Sequence, residues 1–297
     1  MKWSSFSLAA LCCLALAGCR RPVERIEWPV MGTVAAVQVR GGGGLPASCY
    51  RQSAADAFAE VERLLNAHDP DSELSRLAPL GDDAVLAQCD ARMRPCYAAA
   101  FALERLSGGA FSPRWRGTNT LDLGAIAKGF AVDIAAELTY VDGNDALLDL
   151  GGNLKAIQGE GGSRRPWRTG VRDPGGDGFA AEVDLREGEA LATSATYFRG
   201  SHIRDARTGA VVSNGVASVT VLARSAMWAD GLSTALFVLG PDAGAVLLNA
   251  AAEEFPEAGV AAALWLLSDG TSRLSGPSSS SFHRRRRGGS VSVSSNQ

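Results

Sequence analysis

Histidine is scarce in this chain: three occur in 297 residues, at positions 68, 202 and 283. Any imidazole chemistry must fall on one of them. Metal-binding thiol patterns are missing, since no Cys-x-x-Cys and no Cys/His cluster occurs at ligand spacing, and a zinc centre has no basis in the sequence. There is no basic excess either. The 29 Lys and Arg stand against 32 Asp and Glu, for a net charge of −3 and a pI of about 5.7, which excludes the electrostatic footprint of a nucleic-acid binder. Aromatic residues make up 7% and internal repeats are lacking. What is present is a 46% hydrophobic chain, long enough to bury a sizeable core, with 34 glycines for tight turns and close backbone approaches.

The first 18 residues read as an address rather than as structure. Lys2 precedes an apolar run from Phe6 to Ala17, too short to span a bilayer and of the right length for a secretory leader. It ends in Leu16-Ala17-Gly18-Cys19, which resembles a bacterial lipoprotein signal with Cys19 as the lipidated residue. Arg20 after it directs the expectation to the outer membrane, facing the periplasm, with the inner membrane as the alternative. Residues 19–27 then read as a tether. Cys49, Cys89 and Cys96 remain in an oxidising compartment, where Cys89 and Cys96 could close a small loop.

Past the tether the pattern is mixed α/β. Trp28 to Arg40 alternates as a strand, and Ala54, Ala57, Phe58, Val61, Leu64 and Leu65 recur at helical spacing over Ser53 to Ala67. Ser72 to Leu77 is a short helical turn, and Cys96 to Ser107 a second helix closed by Gly108-Gly109. Asp122 to Asp133 passes through glycine into a helix whose start can face an anion. Ala146 to Leu150, Trp167 to Arg172, Glu182 to Leu185, Val216 to Ala223 and Ala261 to Leu267 read as strands, and Trp228 to Leu239 as a buried helix. From Ser275 to Gln297 the Ser- and Arg-rich composition predicts a disordered tail.

Two constellations carry chemistry. His202 sits in a polar stretch, from Thr193 to Gly209, that crowds hydroxyls, an imidazole and a carboxylate. Asp230 and Thr234, four apart, share one helix face, where a carboxylate and a hydroxyl can both ligate a hard cation. The same pair also fits an N-cap aspartate followed by a threonine bonding back to its own helix, so the pattern alone leaves both readings open.

Taken together, the segments Met31-Gly32-Thr33, Asp71 to Leu77, Gly109-Ala110-Phe111, Asp122 to Asp133, Leu150 to Asn153, Asp173-Pro174, Thr193-Ser194, His202 with Asp205 and Thr208-Gly209, and Ala229-Asp230 with Thr234 resemble the FAD:protein FMN transferases, the ApbE or flavin-trafficking family. The resemblance spans Trp28 to Leu267 and implies a domain over residues 28–274. It implies an α/β (α+β) fold with mixed or antiparallel sheets in two lobes and FAD in the cleft between them. It further implies transfer of FMN from FAD to a Thr or Ser hydroxyl of a partner protein, a membrane electron-transfer subunit, with Mg2+ and release of AMP. By resemblance, Asp230, Thr234 and the Ala125 carbonyl hold the metal. His202 is the general base, and Met31, His68, Ala110, Phe111, Ser112, Asp122, Lys128 and Ile203 contact FAD.

The chain departs from the family pattern in places. His68 stands where an aromatic residue is usual, Ala78, Ala195 and Ala206 replace Asn, Gly and Pro, and the links from Pro113 to Leu121 and from Tyr197 to His202 are short. Two other readings therefore stand beside transfer: a FAD-binding or FAD-pyrophosphatase relative, and a non-catalytic envelope lipoprotein.

Overall fold

The computed structural model describes residues 23–41, 44–139, 144–160, 162–163, 165–196, 203–278 and 281–284. Cys19, with the leader around it, and His202 lie outside the described residues. Every strand pairing among the described residues is antiparallel, in keeping with the mixed α/β, antiparallel architecture expected.

The chain opens with β1 (Glu24–Val30) and β2 (Thr33–Arg40), a hairpin where one strand was expected. Apolar alternation runs through both arms, and the reversal is made by Met31 (φ 49°) and Gly32 (φ 65°) rather than by an Asn-Gly signal. β1 also takes up Glu24 to Glu27, half of the expected tether, because its register with β2 turns Trp28 into the core. Helix α1 (Ala47–Leu65) buries all six apolar residues that predicted it and starts earlier, after Pro46. Next come α2 (Glu73–Leu77), capped by Ser72, whose Oγ accepts from Ser75 N–H at 3.0 Å, then α3 (Asp82–Gln88) and α4 (Arg94–Leu106) with proline in its first turn. Cys89 and Cys96 are buried free thiols, so the small loop they could have closed is not bridged.

Helix α5 (Ala127–Thr139) leads to β3 (Asp145–Leu150), β4 (Asn153–Ile157), β5 (Trp167–Arg172), β6 (Phe179–Leu185), β7 (Ala190–Ala195) and β8 (Val216–Ala223). Helix α6 (Ala226–Glu254) is broken at Gly240 (φ 74°) ahead of Pro241, and β9 (Ala262–Leu267), β10 (Ser272–Ser275) and β11 (Phe282–Arg284) follow. Thr193 and Ser194, the start of the polar stretch that runs to Gly209, thus lie inside a strand. The large sheet has the order β1-β2-β3-β4-β7-β8-β9-β10, and a second sheet has the order β11-β6-β5.

The inner strands of the large sheet are buried on both faces, so every residue of β8 and all of β3 except Asp149 are buried. Leu148, Leu150, Val219, Val221 and Trp265 face the helices, whereas Leu147, Leu222, Leu264 and Leu266 meet Trp167, Val183, Leu185 and Phe282 of the small sheet. Burying side chains of this size stabilises by roughly 1.5–3 kcal/mol each. Phe282 corrects the expected tail. Its burial in the second apolar cluster pulls residues 282–284 into register with β6, a contribution that the serine-rich composition concealed; residues 285–297 lie outside the description. Helix α6, long and apolar enough by composition to cross a membrane, is instead packed beneath β7 and β8.

Helices α5 and α6 meet backbone to side chain. A Cβ at Gly129 would overlap the Ala226 carbonyl and the Asp230 Cβ, so this crossing requires glycine. Four residues on, Asp133 caps α6 from outside: its carboxylate accepts from Ala226 N–H (3.0 Å), Met227 N–H (2.9 Å) and Ser225 Oγ (2.8 Å), and it pairs with Lys155 Nζ of β4 (2.6 Å). Gly129→Ala is expected to cost about 3 kcal/mol in urea unfolding, because the overlapped carbonyl is backbone and cannot rotate away. Asp133→Ala should cost about 2 kcal/mol through lost caps and a stranded Lys155. Wild-type midpoints for both would show that the crossing is not what holds the helices.

Candidate active site at the α5–α6 crossing

The Asp230 side chain is 8% exposed on the first turns of α6. Its Oδ2 accepts the Gly129 N–H at 3.0 Å and lies 3.3 Å from Lys128 Nζ, whose distance to Oδ1 is 3.5 Å. Burial pushes its carboxyl above the ordinary range, and the Lys128 ammonium and the Gly129 N–H only partly oppose this. The same burial, with the charge of Asp230 second, drives the Cys96 thiol far up, so that cysteine is no nucleophile.

The Gly129 contact has a local consequence. Gly129 is the third residue of α5, so its N–H has no partner within the helix, and Asp230 satisfies it from α6. Ala127 N–H bonds to Leu123 O (2.8 Å) and Phe130 N–H to Ile126 O (3.1 Å), and among the described residues no backbone N–H reaches the Ala125 carbonyl between them. The 124–126 turn is held from the other side by Asp122, whose Oδ1 accepts from Gly124 N–H (2.9 Å) and whose Oδ2 accepts from Trp115 Nε1 (3.2 Å) and faces Arg116 Nε (3.3 Å).

Thr234 lies one turn beyond Asp230. Its hydroxyl bonds to Ser194 Oγ of β7 (3.1 Å), which also meets Ser233 Oγ (2.8 Å), and Ser233 donates to the Asp230 carbonyl (2.8 Å). This removes the capping reading of the pair. The side-chain caps of α6 are Ser225 and Asp133, so Asp230 is not an N-cap, and Thr234 reaches across to the sheet rather than back along its helix.

Asp230, Thr234, Lys128, Asp122 and Ala125 are therefore brought together. The other expected flavin contacts are placed by their own elements. Met31 is half-buried at the tip of the β1–β2 turn, and Ala110 and Phe111 are buried, with Phe111 N–H on Ser107 Oγ (3.0 Å). Ser112 Oγ donates to the Glu104 carboxylate and accepts from Arg114 N–H. Ile203 is buried against the helical core, and His68 is exposed in the turn after α1. Asp205, expected beside His202, is held by Arg207, whose guanidinium makes bonds of 2.9 and 2.7 Å and keeps the carboxyl below the usual range. Ser233 and the Asp133 cap are functional supports the sequence reading did not single out. Asp133 was visible as the end of the Asp122 to Asp133 block, whereas Ser233 gave no signal.

A cavity of about 260 Å3 opens elsewhere, walled by Arg40, Asp145, Trp167 and Arg186. Arg40 there is committed to Asp145 (3.2 Å) and to the Trp167 ring (4.1 Å).

The model of the ApbE family matches residues 31–118 and 114–256. The FAD:protein FMN transferase of Vibrio cholerae is 29% identical across 82% of this chain and 90% of its own length. That of Rhodobacter capsulatus is 45% identical over 41% of this chain, and the match spans 24% of the relative's length. The fold is shared with the flavin transferase ApbE of Vibrio cholerae (TM-score 0.68, 23% identity, 86% of this chain and 99% of that one) and with the ApbE protein of Thermotoga maritima (TM-score 0.69, 23% identity, 86% and 97%). With more than half of its length matched by the family model, the chain belongs to the ApbE family.

Proposed function

We propose that the protein transfers FMN from FAD to a Thr or Ser hydroxyl of a partner protein, with Mg2+ and release of AMP. The observation that carries this reading is the oxygen set at the α5–α6 crossing: a buried carboxylate on Asp230, a hydroxyl on Thr234 one turn on, and an Ala125 carbonyl left out of the helix ladder, on a chain whose relatives are named FAD:protein FMN transferase. These are hard donors of the kind Mg2+ takes, so the residues fit the ion. When bound it supplies positive charge to the pyrophosphate oxygens.

The chain's own residues then align and deprotonate. The acceptor hydroxyl oxygen bonds to the FMN phosphorus while the bond from that phosphorus to the bridging oxygen breaks, and AMP leaves with the electron pair. The hydroxyl proton passes to His202, a role supported by the resemblance and by the suitability of a near-neutral imidazole. Lys128, in the first turn of α5, offers an ammonium to the flavin nucleotide, and Ser194 orients the Thr234 hydroxyl. The lipoprotein-like leader supports an envelope location, anchored through Cys19 at the outer membrane. A membrane electron-transfer subunit is the acceptor that the family implies.

Asp230→Ala is expected to lower Mg2+-dependent AMP release from FAD by at least about a hundredfold; wild-type release would sink the metal assignment. His202→Ala should keep FAD affinity within about threefold while transfer to a threonine-bearing acceptor, followed by acceptor mass, falls by about 100- to 10,000-fold. Unchanged transfer would remove His202 as the base.

A further inference from the structure

Lys128 is held in an unusual way for a residue expected to serve a substrate. Its Nζ has three oxygens around it: Asp230 Oδ2 at 3.3 Å, Asp230 Oδ1 at 3.5 Å and the Gly124 carbonyl at 3.2 Å. These are one carboxylate and one carbonyl of the 124–126 turn, the same donor types, from the same two elements, that the proposed metal site draws on. All three distances are long for charge-assisted hydrogen bonds, and the Lys128 side chain is 22% exposed, so it has a way out to solvent. No other cationic side chain pairs with Asp230 among the described residues.

We infer that Lys128 and a divalent cation are alternative counter-ions of Asp230, so that metal binding displaces the ammonium from the Asp230–Gly124 oxygens and frees it for the anionic part of FAD. The inference rests on the metal reading above and adds what that reading does not contain: a competition within the site. A buried carboxylate with no cation beside it is costly. With Lys128 alone, the metal-free protein stays compensated. With both cations on one carboxylate, two positive charges would crowd a dry site, so one must leave, and the residue with a flexible four-carbon arm is the one that can. The released ammonium then meets the phosphate charge of FAD, so metal and FAD each favour the binding of the other.

The experiment is calorimetric titration of Mg2+ into the full chain, with and without FAD, for wild type, Lys128→Met and Asp230→Asn. In the absence of FAD, Lys128→Met should bind Mg2+ about tenfold more tightly than wild type, because the internal competitor is gone. FAD should tighten Mg2+ binding to wild type and should tighten it less for Lys128→Met. Equal or weaker Mg2+ binding by Lys128→Met, with binding lost in Asp230→Asn, overturns the competition and leaves the metal site standing. Mg2+ binding that survives in Asp230→Asn removes the metal site, and the competition with it. Thermal unfolding provides a second measurement if Lys128→Met is too unstable to titrate. A larger rise in Tm from EDTA to Mg2+ for that variant than for wild type supports the competition, and an equal rise overturns it.

Discussion

At the crossing of α5 and α6 a glycine brings one helix's backbone against the other's carboxylate, and most of the site follows from that contact. Without a Cβ at Gly129, its N–H reaches Asp230 at 3.0 Å. The hydrogen bond offsets part of the cost of burying a carboxylate, and it satisfies a first-turn N–H of α5 that has no partner within its own helix. One contact therefore joins a buried carboxylate of α6 to the start of α5, where the Ala125 carbonyl accepts no backbone N–H among the described residues. Asp133 fixes the geometry from the next turn of α5 by taking the first N–H groups of α6, and Lys155 ties that cap to β4. α5, α6 and β4 meet at the Asp133 carboxylate, and that junction sets where α6 carries Asp230 against α5.

The two-faced sheet supplies the rigidity this requires. Its helical face carries α5 and α6, and its other face is closed by the small sheet through Trp167, Leu185 and Phe282. A sheet buried on both sides cannot shift one strand without disturbing two apolar clusters. β7, central in that sheet, presents Ser194 to Thr234, so the hydroxyl of α6 is oriented by an inner strand. The surroundings of Asp230 separate its roles in the same way: Ser233 satisfies its backbone carbonyl, Gly129 one oxygen of its side chain, and Lys128 the charge that remains.

Much of this was legible in the chain. The 3.6-residue period of α1, the strands β3 and β8 and the short helical turn from Ser72 to Leu77 are local patterns, and local patterns survive into the fold because each matches the surface it packs against. The β1–β2 hairpin was not legible, since Met31-Gly32 gives no conventional turn signal between two alternating arms. Strand β11 was hidden for a different reason. A single phenylalanine among serines carries no periodicity, and its burial depends on a cluster assembled from β5 and β6, roughly a hundred residues earlier in the sequence.

For the site, the sequence by itself determined which residues could take part: one helix face with a carboxylate and a hydroxyl, a glycine-led helix start, and a single lysine at that start. Their spacing along the chain is a covalent fact, and no fold could alter it. That Asp230 is not the cap of its helix, that Thr234 bonds across rather than backward, and that Lys128 stands against the carboxylate were decided by tertiary structure alone. Those answers depend on Asp133, Ser194 and Gly129, residues 36 to 101 positions away in the chain, and on how closely a side-chainless turn lets two helices approach.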